Sequence, residues 1–251
     1  MKIILTHDAD SIAKPIEHIL TRHERFTKQD LKAAEKGTIN LYNNIEEIVQ
    51  LESGLGFHST FFIPTFLFNL HTISGTLKRI QRKGSEVQLH YVHEQHPQYE
   101  GLFAMQKKFF MELIGPVDGV RCHNLWVTEA LLKLFLNNGV QYDSSYRAET
   151  VNTVEPFAIH ENLIEIPIGI MDTDLFGRFH FTEKEAWKYI LKELETAKDH
   201  RSQSFTLLFH QESFRMKGGR LYAKLLKHFA QQGYECICCC DVPLVQKAKE
   251  Q

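Results

Sequence analysis

The sequence predicts an α/β fold whose parallel sheet is closed, or nearly closed, into a barrel. Three observations predict it. Six or seven short apolar or β-branched runs alternate with helical segments along 251 residues, the pattern of a parallel sheet covered by helices. No linker, repeat or low-complexity stretch divides the chain, so residues 1–251 are expected to form a single domain. Polar side chains with catalytic capacity follow the strands at their carboxyl ends, where such folds carry their chemistry.

The first strand is the apolar run Ile3-Ile4-Leu5, leading into Thr6-His7-Asp8-Ala9-Asp10. Residues 11–25 read as a polar loop or short helix. Residues 28–52 have broadly helical apolar spacing, with a break at Gly37. A second strand over 57–64 is β-branched and aromatic and is closed by Pro64. A helix over 72–83 stops at Gly84, and a third strand covers 86–90. Helix 99–114, strand 119–121, helix 128–137 and strand 140–143 follow. Residues 159–170 hold one or two strands around 163–167. Thr182 with Glu185 three residues on forms a capping box that opens a helix reaching about His200. Strand 205–210, helix 220–232, a last strand over 234–240 and a terminal helix over 242–250 complete the order.

Composition excludes several classes. With 29 basic against 31 acidic residues, net charge −2, no broad field points to nucleic acid or an anionic membrane. The apolar run 61–70 is interrupted by Pro64 and Asn69 and is too short to span a bilayer. The chain shows no leader of charged, apolar and small segments, so a cytoplasmic location is expected. Oligomeric state is not specified. Four of the five cysteines crowd into Cys236-Ile237-Cys238-Cys239-Cys240. Neighbours on a strand face opposite ways, so these cannot all grip one zinc. They are expected to act as small apolar residues of a buried strand.

Alternation along the first strand projects Asp8 and Asp10 the same way at its carboxyl end. Two like charges there call for a divalent ion or an arginine beside them, although a solvated turn would also use aspartate. Other strand ends deliver His90 and His93, then Arg121 and His123, then Asp143, and finally His210. In a barrel these ends meet at one mouth. His7 and His58 alternate away from it and read as packed or surface residues.

In this order the stretches resemble the polysaccharide deacetylase family, metal-dependent amide and ester hydrolases with a NodB-homology domain. Thr6 to Asp10 is similar to the T-F-D-x-D form of the first motif, and Ser59-Thr60-Phe61-Phe62 matches a family strand. Glu86-Val87-Gln88-Leu89-His90 resembles the strand opening a histidine pair. Arg121-Cys122-His123-Asn124 matches R-x-P-Y in part, Tyr142-Asp143-Ser144-Ser145 is present whole, and Leu207-Leu208-Phe209-His210 closes the set. The resemblance covers about residues 3–242.

It implies a distorted (β/α)7 TIM-like barrel and one divalent metal ion, expected to be zinc, held by Asp10, His90 and His93. Asp8 would be the general base, Arg121 would hold it ionised, and His210 would protonate the leaving amine. Asn124 would offer a backbone N–H to the oxyanion, with His123 and Asp143 also on the substrate side, Asp143 by bracing hydrogen bonds. Two departures stand out. The family's second metal histidine usually lies four residues after the first, where this chain has Glu94. His93 lies three on and His96 six on, so Glu94 and His96 stay open as ligands, as does a degraded site. His123 stands where the family has proline. Asp172 and Asp174 fall where the family places a substrate-facing loop, and Phe176, Phe179 and Phe181 read as a sugar platform or as core.

The expected function is metal-dependent N-deacetylation of an acetylated sugar, or of a sugar-linked intermediate of surface polysaccharide metabolism. Two alternatives remain. One is a small amide or imide hydrolase on the same scaffold. The other is a metal-less barrel that only binds carbohydrate or a partner protein.

Overall fold

Three consecutive residues of the first strand, Ile3, Ile4 and Leu5, are wholly buried, as expected where both faces of a parallel strand are covered. That strand, β1 (Lys2–Asp8), is the axis of the sheet. The computed structural model describes residues 1–93 and 99–249. After β1 come β2 (Thr60–Ile63), β3 (Glu86–Tyr91), β4 (Gly119–Cys122) and β5 (Tyr142–Asp143). They are followed by β6 (Phe157–His160), β7 (Leu163–Glu165), β8 (Ile170–Met171), β9 (Ser204–Leu208) and β10 (Cys236–Ile237). The sheet runs β6-β7-β5-β4-β3-β2-β1-β9-β8, with β10 beside β1. Every pairing is parallel except the antiparallel β6–β7 ribbon. A single bridge between Arg147 and Ile168 joins the chain beyond β5 to the approach to β8. The result is the distorted barrel that the sequence predicts.

Alternation sorts the core into two layers. Ile3 and Leu5 face outward into the large apolar layer beneath the helices. Ile4 faces inward with Phe62, Tyr142, Ile164, Ile237, Cys239, Val242 and Val245, filling the barrel. Thr6 and Asp8 continue the inward face of β1, so the strand that seals the floor also delivers a carboxylate to the mouth.

Helices follow the expected signals with trimmed ends. The 28–52 stretch breaks as anticipated, into Lys28–Glu35 and Ile45–Ser53. Gly37 ends the first of these at φ 68°, where its N–H reaches Ala34 O at 2.9 Å and the next N–H reaches Ala33 O at 3.0 Å. The Thr182–Glu185 capping box is present and opens Glu183–Asp199. Two expectations need correction. Among the described residues ten strands form rather than six or seven: every expected run forms its own strand, and 157–171 folds into three short pieces where one or two were expected. The last strand ends at Ile237 rather than Cys240, since Cys239–Asp241 turns as a 3-10 helix under the barrel. Among the described residues no helix is long and apolar enough to cross a membrane.

Candidate active site

Register brings the reactive residues together. Asp8 pairs with Phe62 across β1–β2, and His90 pairs with Arg121 across β3–β4. Arg121 is fully buried and wholly engaged. Its Nη1 donates to Asp8 Oδ1 at 2.8 Å and to Thr6 Oγ1 at 3.1 Å. Its Nε donates to Ser144 O at 2.7 Å and its Nη2 to Ser144 Oγ at 2.6 Å. The guanidinium also lies 4.2 Å from the Phe62 ring centroid. With its other bonds fixing the guanidinium on Thr6 and Ser144, the single charge-assisted bond to Oδ1 orients Asp8 from β4.

His90 donates from Nδ1 to Arg121 O at 3.0 Å, which leaves Nε2 facing the mouth. Asp10 Oδ1 lies 3.2 Å away, is buried and has no hydrogen-bond partner. Asp8 Oδ2 is 3.8 Å from the same nitrogen. Two carboxylates around one imidazole need a positive charge among them, a proton on Nε2 or a bound cation. Burial alone would lower the His90 pKa, but Asp8 and Asp10 outweigh burial and raise it. Burial likewise opposes ionisation of Asp10, yet His90, with His210 and His123, holds that carboxyl well below its ordinary range.

His210 enters from the end of β9. Its Nδ1 donates to Asp172 Oδ1 at 2.6 Å, and its Nε2 points toward Asp10 Oδ2 at 3.7 Å. Asp172 also accepts from Ser213 Oγ at 2.6 Å and from the His210 N–H at 3.1 Å. The helix Lys217–Gln232 can approach this cluster because residue 218 is glycine. A Cβ there would stand 2.7 Å from Ser213 Oγ. Burial pulls the His210 pKa down, but Asp172, then Glu212 and Asp8, raise it well above the ordinary value. With Nδ1 donating to Asp172, Nε2 is the ring nitrogen that faces the mouth. Burial pushes the Glu212 carboxyl up to about 8, with Asp10 and Asp172 adding to the rise and His210 opposing it.

The remaining expected residues divide. His123 sits at the rim, its ring 5.5 Å from that of His90 and edge-on to it. Asn124 follows with left-handed backbone (φ 57°) and its Nδ2 3.2 Å from His123 Nδ1. Asp143 does not reach the mouth. It is wholly buried, accepts from Ser145 Oγ at 2.7 Å, and burial raises its pKa. With no exposed surface it offers a substrate no direct contact, and of the expectation for Asp143 the hydrogen bonding is what the structure places there.

Asp10, His90 and His93 do not converge. The expectation for His93 assumed a helical turn after His90. Instead Val92 is held by the buried Gln106, which accepts from its N–H at 3.1 Å, and His93 turns aside to put Nε2 2.9 Å from Trp126 O. Its ring stacks on Tyr91 and leans on Trp126. Glu94 and His96 lie outside the described residues.

Asp10 and His90 thus fit two positions of a divalent ion. Donors about 2.0–2.1 Å from a tetrahedral centre stand roughly 3.4 Å apart, close to the 3.2 Å seen here. The sequence reading set Asp172 on a substrate-facing loop and missed its pairing with His210. Phe176 and Phe181 pack against the core, while Phe179, clustered with Phe181 and Tyr189, is partly exposed. A separate cavity of about 500 Å³ is lined by Arg147, Asp174, Arg178, Phe179, Tyr189 and Phe205, and none of the mouth residues lines it.

No family model and no curated protein matches the sequence. Solved structures do match. A candidate polysaccharide deacetylase from Mycobacterium smegmatis superposes with TM-score 0.69 at 17% identity, over 99% of this chain and 89% of that one. Puue allantoinase matches with TM-score 0.65 at 13% identity, over 98% and 89%. A CE4 family pseudoenzyme from Bacillus anthracis matches with TM-score 0.58 at 9% identity, over 96% of this chain and 64% of that one. The chain has the fold of the polysaccharide deacetylase barrels.

Proposed function

We propose that this protein is a metal-dependent amide hydrolase of the deacetylase type. Its substrate would be an N-acetylated sugar or a sugar-linked intermediate of surface polysaccharide metabolism, handled in the cytoplasm. The observation that carries the reading is the placement of Asp10 Oδ1 and His90 Nε2 3.2 Å apart at the mouth, about the separation of two donors on one tetrahedral ion, with Asp8 and His210 beside them. A divalent ion, zinc by the carboxylate and imidazole donors, would be held by Asp10 and His90 and would supply Lewis acidity toward the substrate carbonyl. Asp8, oriented by Arg121 at 2.8 Å, takes a proton from the attacking water. His210, protonated and braced by Asp172, gives a proton to the leaving amine nitrogen. His123 and the backbone N–H of Asn124, at the rim, meet the substrate and the developing oxyanion.

A metal-less binding barrel is the second reading. Asp10, His90 and a third histidine or acid do not form a metal cluster among the described residues, and one structural neighbour is a pseudoenzyme. The similarity to an allantoinase keeps a small amide or imide within range as substrate.

One paired experiment separates these readings. Asp8→Asn should lower the hydrolysis of N-acetylated sugar substrates by about 10²–10⁴-fold, the span of a general base, and keep its metal content. Asp10→Ala should lose both activity and metal. Wild-type protein that neither contains nor takes up zinc and cleaves no amide would establish the binding barrel instead.

A further inference from the structure

The floor of the barrel carries a second cluster of donors, unrelated to the mouth. All five cysteines are free. Cys236 lies in the outer core and Cys239 in the inner one, as expected of small apolar residues. Cys238 and Cys240 behave differently. Their sulfurs and a carboxylate oxygen of Asp241 lie within 4.8 Å of one another. Among the described residues this is the one group of three histidine, cysteine or acidic side chains so gathered. The cause is local. β10 ends at Ile237 and the chain turns through Cys239–Asp241, which sends Cys239 into the barrel and draws buried Cys238 and partly exposed Cys240 together away from it.

The surroundings favour a cation. The Glu86 carboxylate accepts from Cys240 N–H at 3.0 Å, and Asp241 accepts from Cys238 N–H at 3.3 Å. Among the described residues neither Glu86 nor Asp241 joins an ion pair. Two thiols and two carboxyls therefore share one corner with no basic partner. Gly84 O stands 3.7 Å from Cys238 Sγ. Sulfur and oxygen donors on one tetrahedral zinc are separated by about 3.6 Å. Asp241 is exposed and Cys240 partly so, which gives an ion a path from solvent.

We propose that Cys238, Cys240 and Asp241 bind a thiophilic divalent ion, zinc, with Gly84 O toward the fourth position. Each thiol releases its proton to solvent as its sulfur bonds the ion, and no electron is transferred. The bound ion would staple the floor. Cys239 N–H already donates to Thr60 Oγ1 at 2.8 Å, and Cys240 N–H to Glu86, so the turn is tied to the first residues of β2 and β3. This site does not depend on the function assigned to the mouth.

Cobalt(II) added to the reduced, full-length protein tests it. The expected result is thiolate-to-cobalt charge-transfer absorption in the near ultraviolet, removed by competing zinc. Cys240→Ser should abolish the band, and Asp241→Asn should weaken cobalt binding by about tenfold or more. The band should persist in a protein carrying both Asp10→Ala and His90→Ala. Thiol titration of the native wild type supplies a check that needs no variant: zinc should protect Cys240, the one cysteine that is not buried, from a cysteine reagent. Absence of the band with cobalt in excess, a band that survives Cys240→Ser, or equal thiol reactivity with and without zinc would each overturn the proposal.

Discussion

β1 carries two buried acid–base partnerships on its opposite faces, one residue apart. On the outer face His7 puts Nδ1 2.8 Å from Phe209 O and Nε2 2.8 Å from Glu52 Oε1. Glu52 also accepts from Ser59 Oγ at 2.6 Å and from the Tyr222 hydroxyl. Both ring nitrogens and both carboxylate oxygens have partners, and the group is sealed from solvent. On the inner face Asp8 is equally well held by Arg121, and next to it Asp10 sets one oxygen 3.2 Å from His90 Nε2. Burial and ion pairing are common to both faces. What differs is that the inner group is still partly exposed at Asp10, whose side chain keeps 27% of its surface, so a ligand can reach it.

If the outer group is purely structural, breaking it should cost stability and leave the chemistry intact. Glu52→Ala removes the acceptor for His7, Ser59 and Tyr222 together, and a buried pair deprived of one partner typically loses about 3–5 kcal/mol. Denaturant unfolding should show that loss, while the turnover of the folded fraction stays within about twofold of wild type. A variant as stable as wild type, or one that is stable but inactive, would erase the distinction between the faces.

A smaller effect is expected at His210, inside the mouth. Asp172 is the largest of the charges that raise its pKa, so Asp172→Asn should bring that pKa down. A group raised in this way is protonated below its folded pKa and loses the proton as pH rises through it. The alkaline limb of kcat/KM should therefore move to lower pH in the variant, with a rate loss of about tenfold or more on the alkaline side and less on the acid side. A pH profile that falls uniformly would show that Asp172 merely packs the region.

Why some of this could be read from the sequence and some could not follows from local geometry. Asp8, Arg121 and His210 sit in or directly after strands, where the period of two fixes direction, and all three were found with their partners in reach. The barrel was legible for the same reason, since alternating apolar runs and helices leave few other arrangements. Asp172 was not assigned to His210 because β8 is two residues long and the run from Ile166 to Ile170 gives no clear end. The pairing of Cys238 with Cys240 was hidden by a turn that looks, by composition, like more strand. His93 was misplaced because helical spacing was applied to a segment that Gln106 holds extended.

That last displacement supplies the smallest and sharpest expectation. His93 is 3% exposed, its Nε2 is taken by Trp126 O, and burial keeps its pKa below the ordinary value. His93→Ala should cost about 1–3 kcal/mol of stability through the lost ring packing and hydrogen bond. Its metal content should match wild type and its kcat should change by less than about threefold, whereas His90→Ala should lose the mouth metal. Measuring both variants side by side by metal analysis and unfolding separates packing from ligation. Loss of metal from His93→Ala would mean that the loop bearing His93 rearranges to bring the imidazole to the ion, and the boundary drawn here between the packed and the open sides of the mouth would have to move.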